Sequence, residues 1–156
     1  MASITEKVSS LGLVLPAPRA PAATYVPFVH AGNLLFISGQ IATVDGQPTV
    51  GGLVGSVATA EQGHAAARDT ALCVIAQIAA AVGDDLSRVK RIVKLVVFIA
   101  AAPGFSGHPQ VANGASDLLV EVFGDVGRHA RSAVGVSSLP RGASVEIEAV
   151  VELEVT

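Results

Sequence analysis

Tryptophan is absent, tyrosine occurs once and phenylalanine five times in the 156 residues. Surfaces that hold nucleic acid by base stacking need exposed aromatics, so that class is disfavoured at the outset. Positive charge is scarce too: 10 Lys and Arg against 13 Asp and Glu leave a net charge of −3. That balance offers no concentrated basic surface to neutralise phosphates, and no nucleic-acid partner is expected. The single cysteine, Cys73, excludes an intramolecular disulfide framework and suits a reducing cytoplasm. It sits among Ala71, Leu72, Val74 and Ile75, the setting of an inert buried thiol. With no cysteine pair, and with His30, His64, His108 and His129 lacking ligand spacing, no metal site is expected. The N-terminus carries no basic segment followed by an apolar core and cleavage site. The longest apolar stretch, Ile92 to Ala102, is broken by Lys94 and too short to span a bilayer. The expectation is a cytoplasmic protein with no membrane partner.

What the chain has in abundance is apolar side chains, 51% of residues, with only 15% charged. The chain is the right length for one domain with a real core. A domain of that size has limited interior, so part of the apolar surplus is expected to lie in a subunit interface.

Ser3-Ile4-Thr5-Glu6 reads as a capping box opening a short helix that Gly12 ends. Pro16, Pro18 and Pro21 then mark an extended connector. Residues 1–22 thus form an N-terminal extension, and residues 23–156 a single domain. "YVPFVHAGNLLFISGQI" reads as a hairpin turning at Gly32-Asn33, and Asp45-Gly46 marks a second turn. Thr59-Ala60-Glu61-Gln62 is a second capping box, starting a long helix closed by Gly83. Val89 to Ala100 reads as a buried central strand. Pro109 begins another helix that stops at Gly124. Two final strands, about 132–138 and 144–155, are joined by "LPRGA". This order predicts an α+β fold, a two-layer α/β sandwich of a mixed β-sheet with two helices packed on one face. The other sheet face then needs a cover, and a partner subunit would supply it.

In the last strand Val145, Ile147, Ala149, Val151 and Leu153 point one way, and Glu146, Glu148, Glu152 and Glu154 the other. Glu152 and Glu154 read as solvated surface; Glu146 and Glu148 lie deeper. Arg131, at the start of the preceding strand, has the planar fork that binds a small carboxylate. A direct hairpin turning near Arg141 would leave Arg131 about 16 Å from Glu146. The two meet only if these strands are not hairpin neighbours or if a second chain brings one to the other. Ser38-Gly39-Gln40 is not a nucleophile elbow, and its in-strand glycine suggests a bulge or a close approach to backbone.

"GNLLFISGQI", "ARSAV" and "LPRGASVEIEAV", in this order, resemble the RidA (YjgF) family over roughly Ala23 to Glu152. The resemblance implies a chorismate-mutase-like fold and a homotrimer with sites in the clefts between subunits. It implies hydrolysis of reactive enamines and imines, such as 2-aminoacrylate, to 2-keto acids and ammonia, with no cofactor. It places the carboxylate-binding arginine on Arg131 and the water-positioning glutamate on Glu146. Tyr25, Ser38, Gly39 and Asn113 fall on the family's other site positions, Asn113 with a one-residue length change. Where compact deaminases usually carry cysteine this chain has Ala133, whose backbone can still meet a ligand, and His129 replaces a usual proline. A non-catalytic family member that binds small carboxylates or keto acids is the alternative. An endoribonuclease, a label often given to this family, fits poorly with the acidic, aromatic-poor composition.

Overall fold

The computed structural model describes residues 2–20 and 23–155. Among the described residues, three α-helices and seven strands form in the order α1 (Ile4–Ser10), β1 (Phe28–Ala31), β2 (Leu34–Gln40), β3 (Thr43–Val44), β4 (Gln47–Pro48), α2 (Ala60–Val82), β5 (Val89–Ala100), α3 (His108–Phe123), β6 (Ala130–Val136) and β7 (Val145–Leu153). Both capping boxes close as their sequences require. Ser3 Oγ accepts from the Glu6 amide at 2.9 Å and Thr59 Oγ1 from the Gln62 amide at 3.1 Å, each answered by the reciprocal bond. Gly83 ends α2 in the left-handed conformation at φ 66°.

A five-stranded mixed sheet has the order β1-β2-β7-β5-β6, and β3-β4 forms a separate small hairpin. Only β5 and β6 run parallel; the other neighbours in the large sheet are antiparallel. The expected β1–β2 hairpin turns at Gly32-Asn33, with Ala31 facing Leu34. Val89 to Ala100 forms one strand as expected, but β7 rather than β5 occupies the middle of the sheet. The last two strands are not hairpin neighbours: β5 lies between β6 and β7 and pairs with both. The chain reaches from β6 to β7 over one end of β5 through a 3-10 turn at Pro140–Gly142.

α2 and α3 cover one face of the sheet. Their apolar sides meet Leu95, Val97, Ile99, Ile147 and Val151, all fully buried. α2 is long and apolar enough in composition to cross a bilayer, and 61% of that segment is buried inside the fold, as befits a core helix. α2 and α3 pack with close backbone approach: a Cβ on Gly114 would lie 2.1 Å from the His64 carbonyl oxygen. Arg68 and Glu121 clasp the two helices by paired hydrogen bonds of 3.1 and 2.9 Å. α1 is a third helix, docked rather than appended. Its Ile4 and Val8 are fully buried, and the Thr5 amide donates to Asp84 Oδ1 beyond the end of α2.

The opposite sheet face is left largely apolar. Val29, Phe36 and Val134 are exposed on it, and Val96, Phe98 and Val150 are half-buried.

Candidate functional site

The sheet register decides where Arg131 and Glu146 stand. Arg131 lies opposite Leu95 of β5, and Glu146 opposite Phe98 of the same strand. Three residues separate Leu95 from Phe98, so their side chains leave on opposite faces. Leu95 is fully buried beneath the helices; Phe98 is on the open face. Arg131 therefore emerges on the helix side of edge strand β6, and Glu146 on the open side of β7. With two strand spacings across and three residues along, they are about 14 Å apart. Within one chain they form two half-sites, not one.

The Glu146 half-site is a cleft of about 370 Å³ lined by Tyr25, Pro27, Gly39, Gln40, Glu146 and, across from these, Arg19, Pro140 and Arg141. β2 carries a bulge between Ile37 and Gln40, the irregularity that the in-strand glycine suggested. At the bulge Gly39 leaves room for the carboxylate, since a Cβ there would fall 2.1 Å from Glu146 Oε1. The Ser38 hydroxyl donates to the Val26 carbonyl at 2.7 Å, which pins the segment carrying Tyr25. Burial pushes the Glu146 carboxyl above the usual carboxylate range, and the charge of Glu148 adds to the shift. A carboxyl so tuned can take up and return a proton nearer neutrality than an exposed one.

The Arg131 half-site is a hydrogen-bonded chain. Arg131 Nη1 donates to Asn113 Oδ1 at 2.9 Å and to Ser116 Oγ at 3.1 Å, both on α3. His129 Nδ1 is 2.7 Å from the Gly127 carbonyl oxygen, and Nε2 is 2.9 Å from Ser116 Oγ. A carbonyl only accepts, so Nδ1 carries the proton in the neutral ring. Nε2 then accepts from the Ser116 hydroxyl, which leaves the Ser116 oxygen free to accept from Arg131. Burial, followed by the nearby Arg131 charge, holds the His129 pKa below its ordinary value, against the opposing bond to Gly127. The remaining guanidinium N–H groups are available for a carboxylate. Ala133 lies two residues along β6 on the same side, partly buried against the core.

The sequence-predicted residues thus divide into Tyr25, Ser38, Gly39 and Glu146 at one place and Asn113, Arg131 and Ala133 at another. Sequence reading did not single out Ser116, nor assign a role to His129, Arg19 or Arg141. Ser116 lies one helical turn from Asn113, a spacing that puts both on one side of α3 and could have pointed to it. Of the other acids the sequence placed in the last strand, Glu152 is held by Lys90 at 2.9 Å and by the Asn33 amide at 3.0 Å, and Glu154 lies just beyond the end of β7 and is exposed.

Comparison with known proteins places this geometry in a family. A family model described as "YjgF/chorismate_mutase-like, putative endoribonuclease" matches residues 5–152. Protein TCP17 of Trypanosoma cruzi is 50% identical over 151 residues, covering 96% of this chain and 94% of that protein. The solved structure of Atu1372, a protein of unknown function from Agrobacterium tumefaciens, is 44% identical. It superposes with a TM-score of 0.90 over 97% of this chain and 92% of its own. A 2-iminobutanoate/2-iminopropanoate deaminase of Dermatophagoides farinae is 30% identical over 139 residues, 89% of this chain and 93% of that one. The chain belongs to the YjgF (RidA) family, with its chorismate-mutase-like fold.

Proposed function

We propose that the protein is a cytoplasmic enamine/imine deaminase that hydrolyses small 2-imino acids to 2-keto acids and ammonia in sites shared between subunits of a homotrimer. The observation that carries the reading is Glu146, a half-buried carboxyl with a raised pKa, seated in a cleft beside Tyr25 over the glycine of a bulged strand. The similarity to the mite deaminase supports the same chemistry. Arg131 on the opposite face of the same chain is too far away to serve that cleft, so a neighbouring subunit supplies it. The open apolar face bearing Phe36, Val29 and Val134 supports such packing, since contiguous exposed apolar surface marks an interaction site.

In this mechanism the substrate carboxylate docks on the Arg131 fork, already aligned by Asn113 and Ser116. Glu146, ionised, takes a proton from water as the water oxygen adds to the C=N carbon. The π pair moves to nitrogen, to which Glu146 passes that proton, giving a neutral carbinolamine and an ionised Glu146. Glu146 then takes the carbinolamine hydroxyl proton and delivers it to the nitrogen as the C=O bond forms and the C–N bond breaks. Ammonia departs and the 2-keto acid remains. Imine plus water equals keto acid plus ammonia, so no redox partner is called for. The work lies in orientation and proton transfer, which a sparse site can supply.

The test couples the protein to an enzyme that releases 2-aminoacrylate or longer imines, and times keto-acid formation. Acceleration over the spontaneous rate is expected. Keto-acid binding without acceleration would instead identify a non-catalytic carboxylate receptor.

A further inference from the structure

The cleft around Glu146 holds two cations that the mechanism above does not use. Arg19 comes from the proline-rich connector and Arg141 from the turn before β7, and both line the cleft with Tyr25 and Glu146. Arg141 Nη1 donates to the Gly46 carbonyl at 3.0 Å, and Arg19 Nη2 donates to Thr43 Oγ1. Thr43 and Gly46 belong to one small hairpin and lie three residues apart, so its backbone sets these two anchors within about 10 Å of each other. Each guanidinium has five N–H donors and spends one of them on its anchor, leaving the rest for a ligand.

Both arginines are held in place at some cost to the chain. Gln77 of α2, only 1% exposed, donates its side-chain amide to the Arg19 carbonyl at 3.0 Å, so a core side chain fixes the connector there. Arg141 adopts φ 59°, ψ 13°, a left-handed conformation that L-residues other than Asn and Asp seldom take. Neither charge is matched. Among the described residues the ion pairs are Arg68–Glu121, Lys90–Glu152 and Arg128–Asp125. None of these pairs includes Arg19 or Arg141, and Glu146 in the cleft wall does not reach ion-pair distance of either.

We propose that Arg19 and Arg141 hold a second carboxylate, so that the cleft takes 2-oxo and 2-imino acids that are dicarboxylic. This rests on the Glu146 cleft being the reaction site, with Arg131 of a neighbouring subunit on the first carboxylate. A monocarboxylic substrate leaves both arginines without a partner. A dicarboxylic one of four or five carbons fits a cleft of this volume with its reacting carbon between the two anionic ends.

Calorimetric titration of the assembled protein with 2-oxobutanoate and with 2-oxoglutarate tests the proposal without requiring turnover. The dicarboxylate binds at least about tenfold more tightly, as one added charge-assisted contact implies. The double variant Arg19→Gln/Arg141→Gln brings the two affinities together, and Arg19→Lys/Arg141→Lys keeps part of the difference. Equal affinities in the wild type, or a preference that survives the double Gln variant, would overturn it. So would equal weakening of both ligands, which would assign the two arginines to the first carboxylate. A dicarboxylate preference in a protein that does not accelerate imine hydrolysis would overturn the proposed reaction and leave the ligand class standing.

Discussion

Glu146 occupies the space that a side chain at residue 39 would need: a Cβ on Gly39 lies 2.1 Å from Glu146 Oε1. The same 2.1 Å separates a Cβ on Gly114 from the His64 carbonyl oxygen, where α2 and α3 cross. One obstacle is the mobile end of a side chain, the other is backbone. Gly39→Ala therefore displaces the carboxylate and cuts turnover by about a hundredfold, the effect of an ångström-scale misplacement, with the melting temperature nearly unchanged. Gly114→Ala forces the helices apart and destabilises by about 1–3 kcal/mol, as overpacking does. Thermal melts and imine turnover of the two variants separate these outcomes.

Glu148 exposes a second carboxylate two residues from Glu146 on the same face, and its charge helps hold the Glu146 proton. Glu148→Gln removes that repulsion and lowers the Glu146 pKa. The acidic limb of the rate profile then moves to lower pH. A limb that stays in place, or moves up, would deny the coupling.

The raised pKa also has a consequence for stability. In the unfolded chain Glu146 ionises near the ordinary value of about 4.3, before the native group does. Stability is thus full below that pH and declines as pH rises through the folded pKa, because the native state then holds a disfavoured charge. Glu146→Gln melts above the wild type at pH 7 and loses that advantage near pH 3.5.

His129 works in the opposite direction. Its pKa is lowered, so above about 6.5 the ring is neutral in both states and contributes no pH dependence. As pH falls below that value the unfolded chain binds the proton first, and native stability declines until the folded ring titrates. Urea unfolding at pH 7.5 and 5.5 shows a smaller loss in His129→Gln than in the wild type.

Much of this was legible in the chain. The capping boxes at Ser3 and Thr59, the Gly32-Asn33 turn and the alternation of β7 are local signals, and each produced the element expected. Strand order was not legible, because β6 and β7 are consecutive in sequence yet separated by β5, a choice made by tertiary packing. The hairpin premise for Arg131 and Glu146 did not hold for the same reason, although the separation of about 16 Å it gave is close to the value of about 14 Å set by strand placement. The resemblance pointed to Tyr25, Gly39 and Glu146, which line one cleft, and to Asn113 and Arg131, which hydrogen-bond. No local pattern marks Arg19 or Arg141, since each reaches the cleft through a hairpin distant in sequence.

The claim that the site joins Arg131 of one chain to Glu146 of another is tested most directly by mixing two dead variants. Arg131→Ala and Glu146→Gln are each inactive in imine hydrolysis when assembled alone. Co-assembled in equal amounts, about one site in four receives an intact Arg131 and an intact Glu146 from different chains, restoring about a quarter of wild-type activity. Mixed oligomers that remain inactive, or turnover retained by either variant alone, would contradict the account.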